Sequence, residues 1–368
     1  MATAVATRVE APVESVRARA FTVPTDKPES DGTMVWDATT LVLVEVEAGG
    51  ETGIGWTYCA AAAARLVDEL LEDVVCGRSA FDVAGVQLVA RAALRNAGYP
   101  GIGSCAVSAL DVALWDVKAK LAGLPLVAVL GAINDTVPVY GSGGFCSYSN
   151  SELAEQLAGW VADGIPRVKM KVGREPERDP VRVRVARDAI GDDAELYVDA
   201  NGAFSVKQAS RFAAEWSAFD VRWFEEPVSS LDLDGLRRLR ALMPPGVEIA
   251  AGEYAYTPAD FRDLVGCVDC LQADASRCGG ITGLLAASAL SAAYEVDLSG
   301  HTAPSIHAHA LCAVPKLRHL EWFHDHVRIE RLFFDGFLEP EGGAVRPDRS
   351  RPGLGVEPKR ADLERYAA

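Results

Sequence analysis

Charged residues recur in this sequence at nearly constant spacing, each at the end of a short apolar run. Successive members stand 28, 26, 28, 21, 27 and 20 positions apart and are Lys171, Asp199, Glu225, Glu253, Asp274, His301 and Glu321. A strand, a loop, a helix and a return loop take about 25 residues, the repeat of a (β/α) barrel. Because strand C-termini converge on one mouth of such a barrel, the spacing predicts a single site built from carboxylates, a lysine and a histidine.

Three carboxylates end consecutive predicted strands and are candidate metal ligands. Hard oxygen ligands at Asp199, Glu225 and Glu253 suit Mg²⁺, whose octahedral shell water and substrate would complete. The alternative is that each carboxylate caps the following helix. Three like charges at matched positions would raise one another's pKa unless a cation neutralised them, which favours the metal. Asn201 follows Asp199 by two positions and is expected to point into the same mouth.

Two lysines share the preceding strand. Alternation along the strand places Lys169 and Lys171 on the same inward face. Proximity of two ammonium groups and partial desolvation are expected to lower the lysine pKa towards neutrality, as a general base needs. The alternative is a solvated lysine pair at the rim of the barrel.

All six histidines lie between positions 301 and 326. Only His301 directly follows an apolar strand, in VDLSGH, and the preceding unit ends in Asp274. A carboxylate on the neighbouring strand can hold the imidazole tautomer, which makes His301 a candidate acid or base facing the lysine. The remaining histidines are predicted to be structural, with His324 near the mouth: His307, His309, His319, His324 and His326.

Local sequence patterns predict the strands and helices that position these residues. The first third reads as an α+β unit, with strands in VESVRARAFTV and TLVLVEVEA, a hairpin at Gly49-Gly50, and a helix in SCAVSALDVALWDVKAKLAG with Ser104 as N-cap. Residues 24–36, PTDKPESDGTMVW, are predicted to be a mobile polar loop that could act as a lid. From about Val137, eight short strands alternate with helices. The Gly-, Pro- and Arg-rich remainder is expected to wrap back over the first unit.

Composition excludes several classes of protein. A chain of 368 residues with 49% hydrophobic content can bury a large core, and its formal net charge of -16 argues against nucleic acid and anionic membranes as partners. No apolar stretch is long enough to span a bilayer, and MATAVATRVEAP lacks the pattern of a secretory signal, so a soluble cytoplasmic protein is expected. The eight cysteines, including the lone Cys267-Cys270 CxxC, are predicted to be reduced and buried.

The motifs together resemble those of the enolase superfamily, in particular its mandelate racemase-type subgroup (the mandelate racemase/muconate lactonizing enzyme family). They are VKMK, DAN, WFEEP, AGE, LQADASRCGG, SGH and LEWF, and the similarity covers nearly the whole chain. A muconate lactonizing-type member would carry a lysine where Asp274 stands, and an enolase-type member would lack the Lys-x-Lys pair. Neither of these patterns matches the sequence.

This resemblance implies an α/β fold, a modified TIM barrel of the (β/α)7β type with an N-terminal α+β capping domain. The expected domains are the cap at 1–128, the barrel at 129–326 and a C-terminal segment at 327–368 that returns to the cap. It also implies one Mg²⁺ per subunit on Asp199, Glu225 and Glu253, with Glu226 a neighbour and not a ligand.

Catalytic roles are likewise implied by the resemblance. Lys171 would be one base, with Lys169 tuning it and binding the substrate carboxylate, and His301 supported by Asp274 would be the other. Glu321 matches the position that hydrogen-bonds the substrate carboxylate as an enediolate forms, and Asn201 is a further expected substrate contact.

The expected reaction is Mg²⁺-dependent removal of the α-proton of a small carboxylate substrate. Dehydration of an acid sugar to a 2-keto-3-deoxy acid is favoured, because the polar residues of the 24–36 segment suit hydroxyl groups. Racemisation or epimerisation of a 2-hydroxy acid is the alternative, and a barrel that binds without turnover is a further one. Aldonic, uronic and aldaric acids all remain open as substrates, and a homo-oligomer is the expected assembly.

Overall fold

The structure is a computed structural model of the chain and describes residues 10–368. An antiparallel sheet comes first, formed by β1 (Val13–Ser30), β2 (Val35–Ala48) and β3 (Glu51–Tyr58). The helices that follow are α1 (Ala62–Leu66), α2 (Glu72–Val75), α3 (Val83–Ala93), α4 (Ile102–Leu121) and α5 (Leu126–Leu130), with a π-helical turn at Val67–Leu71. This N-terminal part is the capping unit that the sequence predicted.

Both faces of the cap sheet are buried. Alternate valines of β2, among them Val44, pack with helices α3 and α4, while Leu43 and Trp56 lie on the opposite face. Helix α4 can lie directly against β3 because Gly55 has no side chain. A Cβ atom added at Gly55 would lie 2.2 Å from the backbone oxygen of Ala109. The indole of Trp56 packs against Phe334, with ring centroids 4.4 Å apart, so the C-terminal segment covers the second face.

Eight parallel strands form the closed barrel within the described residues. They are β4 (Val137–Gly143), β5 (Arg167–Lys171), β6 (Glu195–Asp199), β7 (Val221–Glu225), β8 (Glu248–Ala251), β9 (Cys270–Ala273), β10 (Asp297–Gly300) and β11 (Leu317–Phe323). Strand β11 pairs with β4, which closes the ring. The connecting helices are α6 (Asn150–Ala162), α7 (Asp179–Ile190), α8 (Val206–Trp216), α9 (Leu233–Leu242), α10 (Pro258–Leu264), α11 (Gly280–Ala293) and α12 (Pro304–Ala310), with short 3-10 turns at Ser217–Phe219 and Leu311–Ala313. The predicted (β/α)7β barrel is confirmed.

The C-terminal segment runs back to the cap. Its elements are α13 (His324–Phe333), β12 (Phe334–Asp335), β13 (Ala344–Val345), β14 (Glu357–Pro358) and α14 (Arg360–Glu364). Strand β13 pairs with β4 of the barrel, and β12 pairs with β14. Beyond α14, the backbone N–H of Thr22 donates to the oxygen of Tyr366 at 2.8 Å, and that of Ala368 donates to Ala20 at 3.0 Å. The domain boundaries placed after residues 128 and 326 stay predictions.

The prediction of a polar loop at 24–36 is wrong. Strand β1 continues to Ser30 and β2 begins at Val35, so these residues form the tip of an antiparallel hairpin, with a register slip between Pro24 and Glu29. The Oδ1 atom of Asp31 holds the turn by accepting the N–H groups of Thr33 and Met34, each at 2.6 Å. Local composition favoured a loop, but pairing across the hairpin and packing on the barrel override it. We call residues 24–36 the cap hairpin.

The prediction that Ser104 caps a helix is also wrong. Helix α4 begins at Ile102 after Gly101, and Ser104 lies in its first turn with a side chain that is fully buried. Its hydroxyl donates to the backbone oxygens of Arg277 at 2.5 Å and Tyr256 at 3.3 Å. The residue therefore joins the cap to two barrel loops, which a sequence pattern along one helix cannot reveal.

Across residues 10–368, no helix combines the length and the apolar character that crossing a membrane requires. The N-terminal stretch on which the prediction of no secretory signal rests lies largely outside the described residues. All eight cysteines are free thiols, as predicted, and five of them are buried: Cys105, Cys267, Cys270, Cys278 and Cys312.

Candidate active site

The predicted metal ligands lie together at the C-terminal ends of neighbouring strands. Pairing of β6 with β7 sets Asp199 beside Glu225, and Glu253 follows β8 by two residues. One oxygen from each carboxylate lies within 4.8 Å of the others, and the exposed fractions of the three residues are 0%, 0% and 4%. Burial, followed by the negative charge of Asp199, raises the pKa of Glu225 to about 8. A buried donor set of three carboxylate oxygens fits a divalent cation such as Mg²⁺.

Both lysines of β5 enter this cluster, but the prediction of a lowered pKa is wrong. Lys169 Nζ lies 2.6 Å from Glu225 Oε1 and 3.3 Å from Asp199 Oδ2, and Lys171 Nζ lies 2.5 Å from the same Asp199 atom. Burial alone would lower both lysine pKa values, yet the carboxylates outweigh it and raise them. The sequence argument counted the two cations and omitted the anions that the barrel places between them.

His301 and Asp274 form the predicted dyad on strands β10 and β9. The imidazole Nδ1 lies 2.8 Å from Asp274 Oδ2, and Nε2 lies 3.1 Å from Glu253 Oε2. Asp274 thereby holds the proton on Nδ1 and orients the ring, so that Nε2 faces the carboxylate cluster. Burial lowers the pKa of His301, but the charges of Glu253 and Glu321 and the hydrogen bond with Asp274 together raise it to about 10.

Glu321 lies between the lysine and the histidine on β11. Its Oε1 atom is 2.8 Å from Lys169 Nζ and accepts the Ser142 hydroxyl at 2.6 Å, while Oε2 is 3.4 Å from His301 Nε2. Burial raises the pKa of Glu321, but Lys169 and His301 outweigh it and lower it to about 2. Glu321 therefore joins the two halves of the charged cluster, whose members are Lys169, Lys171, Asp199, Glu225, Glu253, His301 and Glu321.

Asn201 occupies the loop after β6 in the left-handed region, with φ of 44°. Its backbone N–H donates to Asp199 Oδ1 at 2.9 Å, which fixes one carboxylate of the cluster. The side-chain Oδ1 is buried and has no hydrogen-bond partner among residues 10–368. An unpaired amide oxygen beside the cluster is available to a bound hydroxyl group.

The other histidines lie outside the dyad. His307 Nε2 accepts the N–H of Ala275 at 2.9 Å, and His309 Nδ1 accepts that of Val127 at 3.3 Å. His319 lies inside the barrel, and His326 stacks on Tyr58 with ring centroids 3.4 Å apart. His324 Nε2 pairs with Asp26 of the cap hairpin at 3.2 Å.

The cap hairpin lies against the barrel mouth. The backbone oxygen of Ser30 accepts the N–H of Cys146, after β4, at 2.7 Å. A side chain at Gly32 would meet the backbone oxygens of Ala200, after β6, at 2.5 Å and Val172, after β5, at 2.7 Å. The hairpin tip thus packs on three consecutive barrel loops, in the position expected of a lid.

Comparison with known proteins agrees with this geometry. Residues 16–131 match the family described as mandelate racemase/muconate lactonizing enzyme, N-terminal domain, and residues 152–362 match the family described as enolase C-terminal domain-like. The chain belongs to the mandelate racemase/muconate lactonizing enzyme family, within the enolase superfamily. A crystal structure of a mandelate racemase/muconate lactonizing enzyme-like protein from Rubrobacter xylanophilus is 56% identical, with a TM-score of 0.96 over 97% of this chain and 100% of that one.

Characterised family members share less of the sequence. The 3,6-anhydro-alpha-L-galactonate cycloisomerase of Streptomyces coelicolor is 33% identical over 94% of this chain and 96% of its own. L-talarate/galactarate dehydratase from Salmonella typhimurium, in a structure with Mg and L-lyxarohydroxamate, is 28% identical with a TM-score of 0.90, over 100% of this chain and 96% of that one. The relatives of this chain include acid sugar dehydratases and cycloisomerases. Magnesium is the ion bound in homologous structures, and the Asp199, Glu225 and Glu253 triad is able to hold it.

Sequence reasoning gave no role to Arg277, although the motif LQADASRCGG contains it. Its Nε atom lies 3.5 Å from Asp274 Oδ2, the oxygen that pairs with His301, and its Nη1 donates to the backbone oxygen of Glu253 at 3.3 Å. Arg277 thus links the histidine dyad of this family member to its metal triad. Its position, three residues after Asp274, could have indicated in the sequence that the two side chains lie close together.

Proposed function

We propose that this family member is a Mg²⁺-dependent acid sugar dehydratase that removes the α-proton of a sugar acid and eliminates its 3-hydroxyl. The observation that carries the proposal is the arrangement of two proton-transfer groups around one carboxylate cluster. Lys171 contacts the cluster at Asp199, and His301 contacts it at Glu253 and Glu321. A base and an acid at separate edges of one site suit elimination across two adjacent carbons.

In this proposal Lys171 is the base that takes the α-proton. When bound to the three carboxylates, Mg²⁺ supplies positive charge that opposes the ammonium form of Lys171 and attracts the substrate carboxylate. Lys169 binds that carboxylate as a fixed cation, since it is fully buried among Asp199, Glu225 and Glu321. Glu321 pairs with Lys169 and so orients that cation towards the substrate carboxylate as the enediolate forms.

His301 is the acid that protonates the departing hydroxyl. Asp274 keeps Nδ1 protonated, so Nε2 is the atom that exchanges protons with substrate. Arg277 lies 3.5 Å from the same Asp274 oxygen and helps to hold it in place. Loss of water leaves an enol, which tautomerises to the 2-keto-3-deoxy acid.

The relatives and one polar group near the site support this choice of substrate class. The dehydratases among them act, by name, on talarate, galactarate, gluconate, arabinonate and rhamnonate, which are all sugar acids. The unpaired Oδ1 of Asn201 is a polar group suited to a sugar hydroxyl. An isomerase is the second candidate, because the 33% identical relative is a cycloisomerase and a 32% identical structure is that of a racemase.

A screen of purified protein against acid sugars, anhydro sugar acids and lactones, with Mg²⁺ in D₂O, tests the proposal. We expect a 2-keto acid from an open-chain sugar acid, with deuterium at C3. His301→Asn should stop elimination and still permit exchange of the α-proton through Lys171. Deuterium only at C2 of inverted substrate would replace the dehydratase with a racemase, and turnover of cyclic substrates alone would replace it with a cycloisomerase.

A further inference from the structure

A second group of potential ligands lies where the cap hairpin meets the end of β11. Glu29 comes from the hairpin, and His324 and Asp325 begin α13 directly after the barrel strand. Each offers one ligand atom, and these atoms lie within 4.8 Å of one another. None of these three residues belongs to the Mg²⁺ triad or to the histidine dyad.

The carboxylate of Glu29 lacks a counter-charge of its own. Glu29 and Asp325 are both fully buried, and both accept the same indole N–H of Trp36, at 3.0 Å and 3.3 Å. Within the described part of the chain, the second oxygen of Glu29, Oε1, has no hydrogen-bond partner. Asp325 Oδ2 also accepts the Thr39 hydroxyl at 3.0 Å. Both of these donors are neutral, so the two adjacent carboxylates need a proton or a cation between them, since an unpaired buried charge is costly.

Neighbouring cations do not meet this need. Arg328 donates to Asp325 Oδ1 at 3.2 Å, so its charge is directed at the far oxygen of that residue. Lys27, on the same hairpin, pairs with Glu152 at 2.5 Å.

The imidazole of His324 has a carboxylate partner of the kind that metal-binding histidines have. Its Nε2 atom lies 3.2 Å from Asp26 Oδ2, so the carboxylate holds the proton on Nε2 and leaves the lone pair on Nδ1. The His324 side chain is 27% exposed, which provides a path for an ion and a place for water. The ring of Phe145 packs near both Trp36 and His324, at centroid distances of 5.5 Å and 6.3 Å, and shields the group on one side.

We propose that Glu29, His324 and Asp325 form a second divalent-cation site, of the zinc type, that ties the cap hairpin to the barrel. Two carboxylates and one imidazole, with water as the fourth ligand, match Zn²⁺ better than Mg²⁺, which prefers oxygen ligands alone. Bonds of about 2.0–2.2 Å require the ligand atoms to draw together by roughly 1 Å. Because the ligands come from the hairpin and from the barrel, binding would hold the lid closed.

Zinc retention in the presence of excess Mg²⁺ tests the site without measuring activity. Protein stripped with chelator is saturated with Mg²⁺, loaded with Zn²⁺, desalted and analysed for metal. We expect one retained zinc per chain in the wild type and in Asp199→Asn, whose change lies in the other metal site. Zinc should be lost from Glu29→Gln and from His324→Asn. The His324 side chain is partly exposed, so we expect this second variant to fold.

Glu152→Gln is the matched control, since it removes the Lys27 contact of the same hairpin and no ligand. It should retain zinc as the wild type does. Hydrogen exchange of residues 24–36 should slow on zinc binding in the wild type and in this control, and not in the ligand variants. Absence of retained zinc, or equal retention by wild type, Glu29→Gln and His324→Asn, would overturn the proposal and leave a shared proton as the link between Glu29 and Asp325.

Discussion

Lysines and carboxylates lie side by side in the barrel mouth, and the two lysines differ in the carboxylates that they contact, although both contact Asp199. Lys171 contacts Asp199, whereas Lys169 is enclosed by Asp199, Glu225 and Glu321. Substitution of the two lysines by methionine should therefore have different effects. Lys171→Met should lower kcat by roughly 10²- to 10⁴-fold through loss of the base, with little change in KM.

Lys169→Met should raise KM as well as lower kcat, because it removes the cation that pairs with the substrate carboxylate and frees three buried anions. Steady-state kinetics on the substrate found by the screen give both constants. A normal kcat in Lys171→Met would assign the base to another residue.

Metal dependence is a second prediction at the residue scale. Chelation should abolish turnover, and added Mg²⁺ should restore it and raise the Tm of the wild type, since the ion binds only the folded triad. Asp199→Asn and Glu253→Gln should lose both effects, because each removes one anionic ligand from the triad. Full activity of chelator-treated protein would show that the triad has a different role.

At the scale of elements, the tip of the cap hairpin decides whether the mouth is covered. Gly32→Ala places a methyl group 2.5 Å and 2.7 Å from two backbone oxygens that cannot move aside easily. We expect the hairpin to seat less tightly, with a stability loss of about 1–3 kcal/mol and a higher KM. Hydrogen exchange of residues 24–36, thermal unfolding and kinetics measure the effect.

Gly159→Ala in α6 is the control for this substitution, because an added methyl group there meets nothing within 4 Å. It should stabilise the protein by about 0.4–1 kcal/mol and leave KM unchanged. An unchanged KM and unchanged exchange in Gly32→Ala would mean that the hairpin does not act as a lid.

Strand ends were predictable from the sequence because each short apolar run stops at a polar residue, as at Asp199 and His301. Contacts between residues on different strands could not be predicted in the same way. The pKa of Lys171 depends on which carboxylate lies beside it, and that follows from pairing of β5 with β6. The environment of Glu29 includes Asp325, which is distant in the sequence, and the two residues accept the same Trp36 N–H. Local composition carries no such contact, so it indicated a loop where the structure has a hairpin.

At the scale of the whole molecule, Glu330 joins the cap to the barrel. Its carboxyl group accepts the indole N–H of Trp56 at 3.0 Å, the hydroxyl of Tyr58 at 3.1 Å and the N–H of Ser305 at 2.9 Å. Burial raises its pKa from 4.5 to about 7, although these donors oppose the rise. Folding therefore favours the neutral form of Glu330.

The pH dependence of stability follows from this raised pKa. The contribution of neutral Glu330 is fully present below about pH 4.5 and is lost as the pH rises through about 7, because the folded state then binds more protons than the unfolded state. We expect Glu330→Gln to flatten this part of the pH profile of the free energy of unfolding, by at most about 3 kcal/mol. Urea titrations of both proteins from pH 5 to 8 give the difference, and parallel profiles would assign the titration to other groups.

The contacts of residues 366–368 with β1 bear on whether a second chain can add a strand to the cap sheet. Strand β1 spans 18 residues and pairs with β2 along one side. On its other side, Thr22 donates to Tyr366 and Ala20 accepts from Ala368. An unpaired edge of this length is a template on which a second chain can add a strand. The final residues occupy part of that edge, so their removal would favour aggregation through the cap while leaving the barrel chemistry untouched.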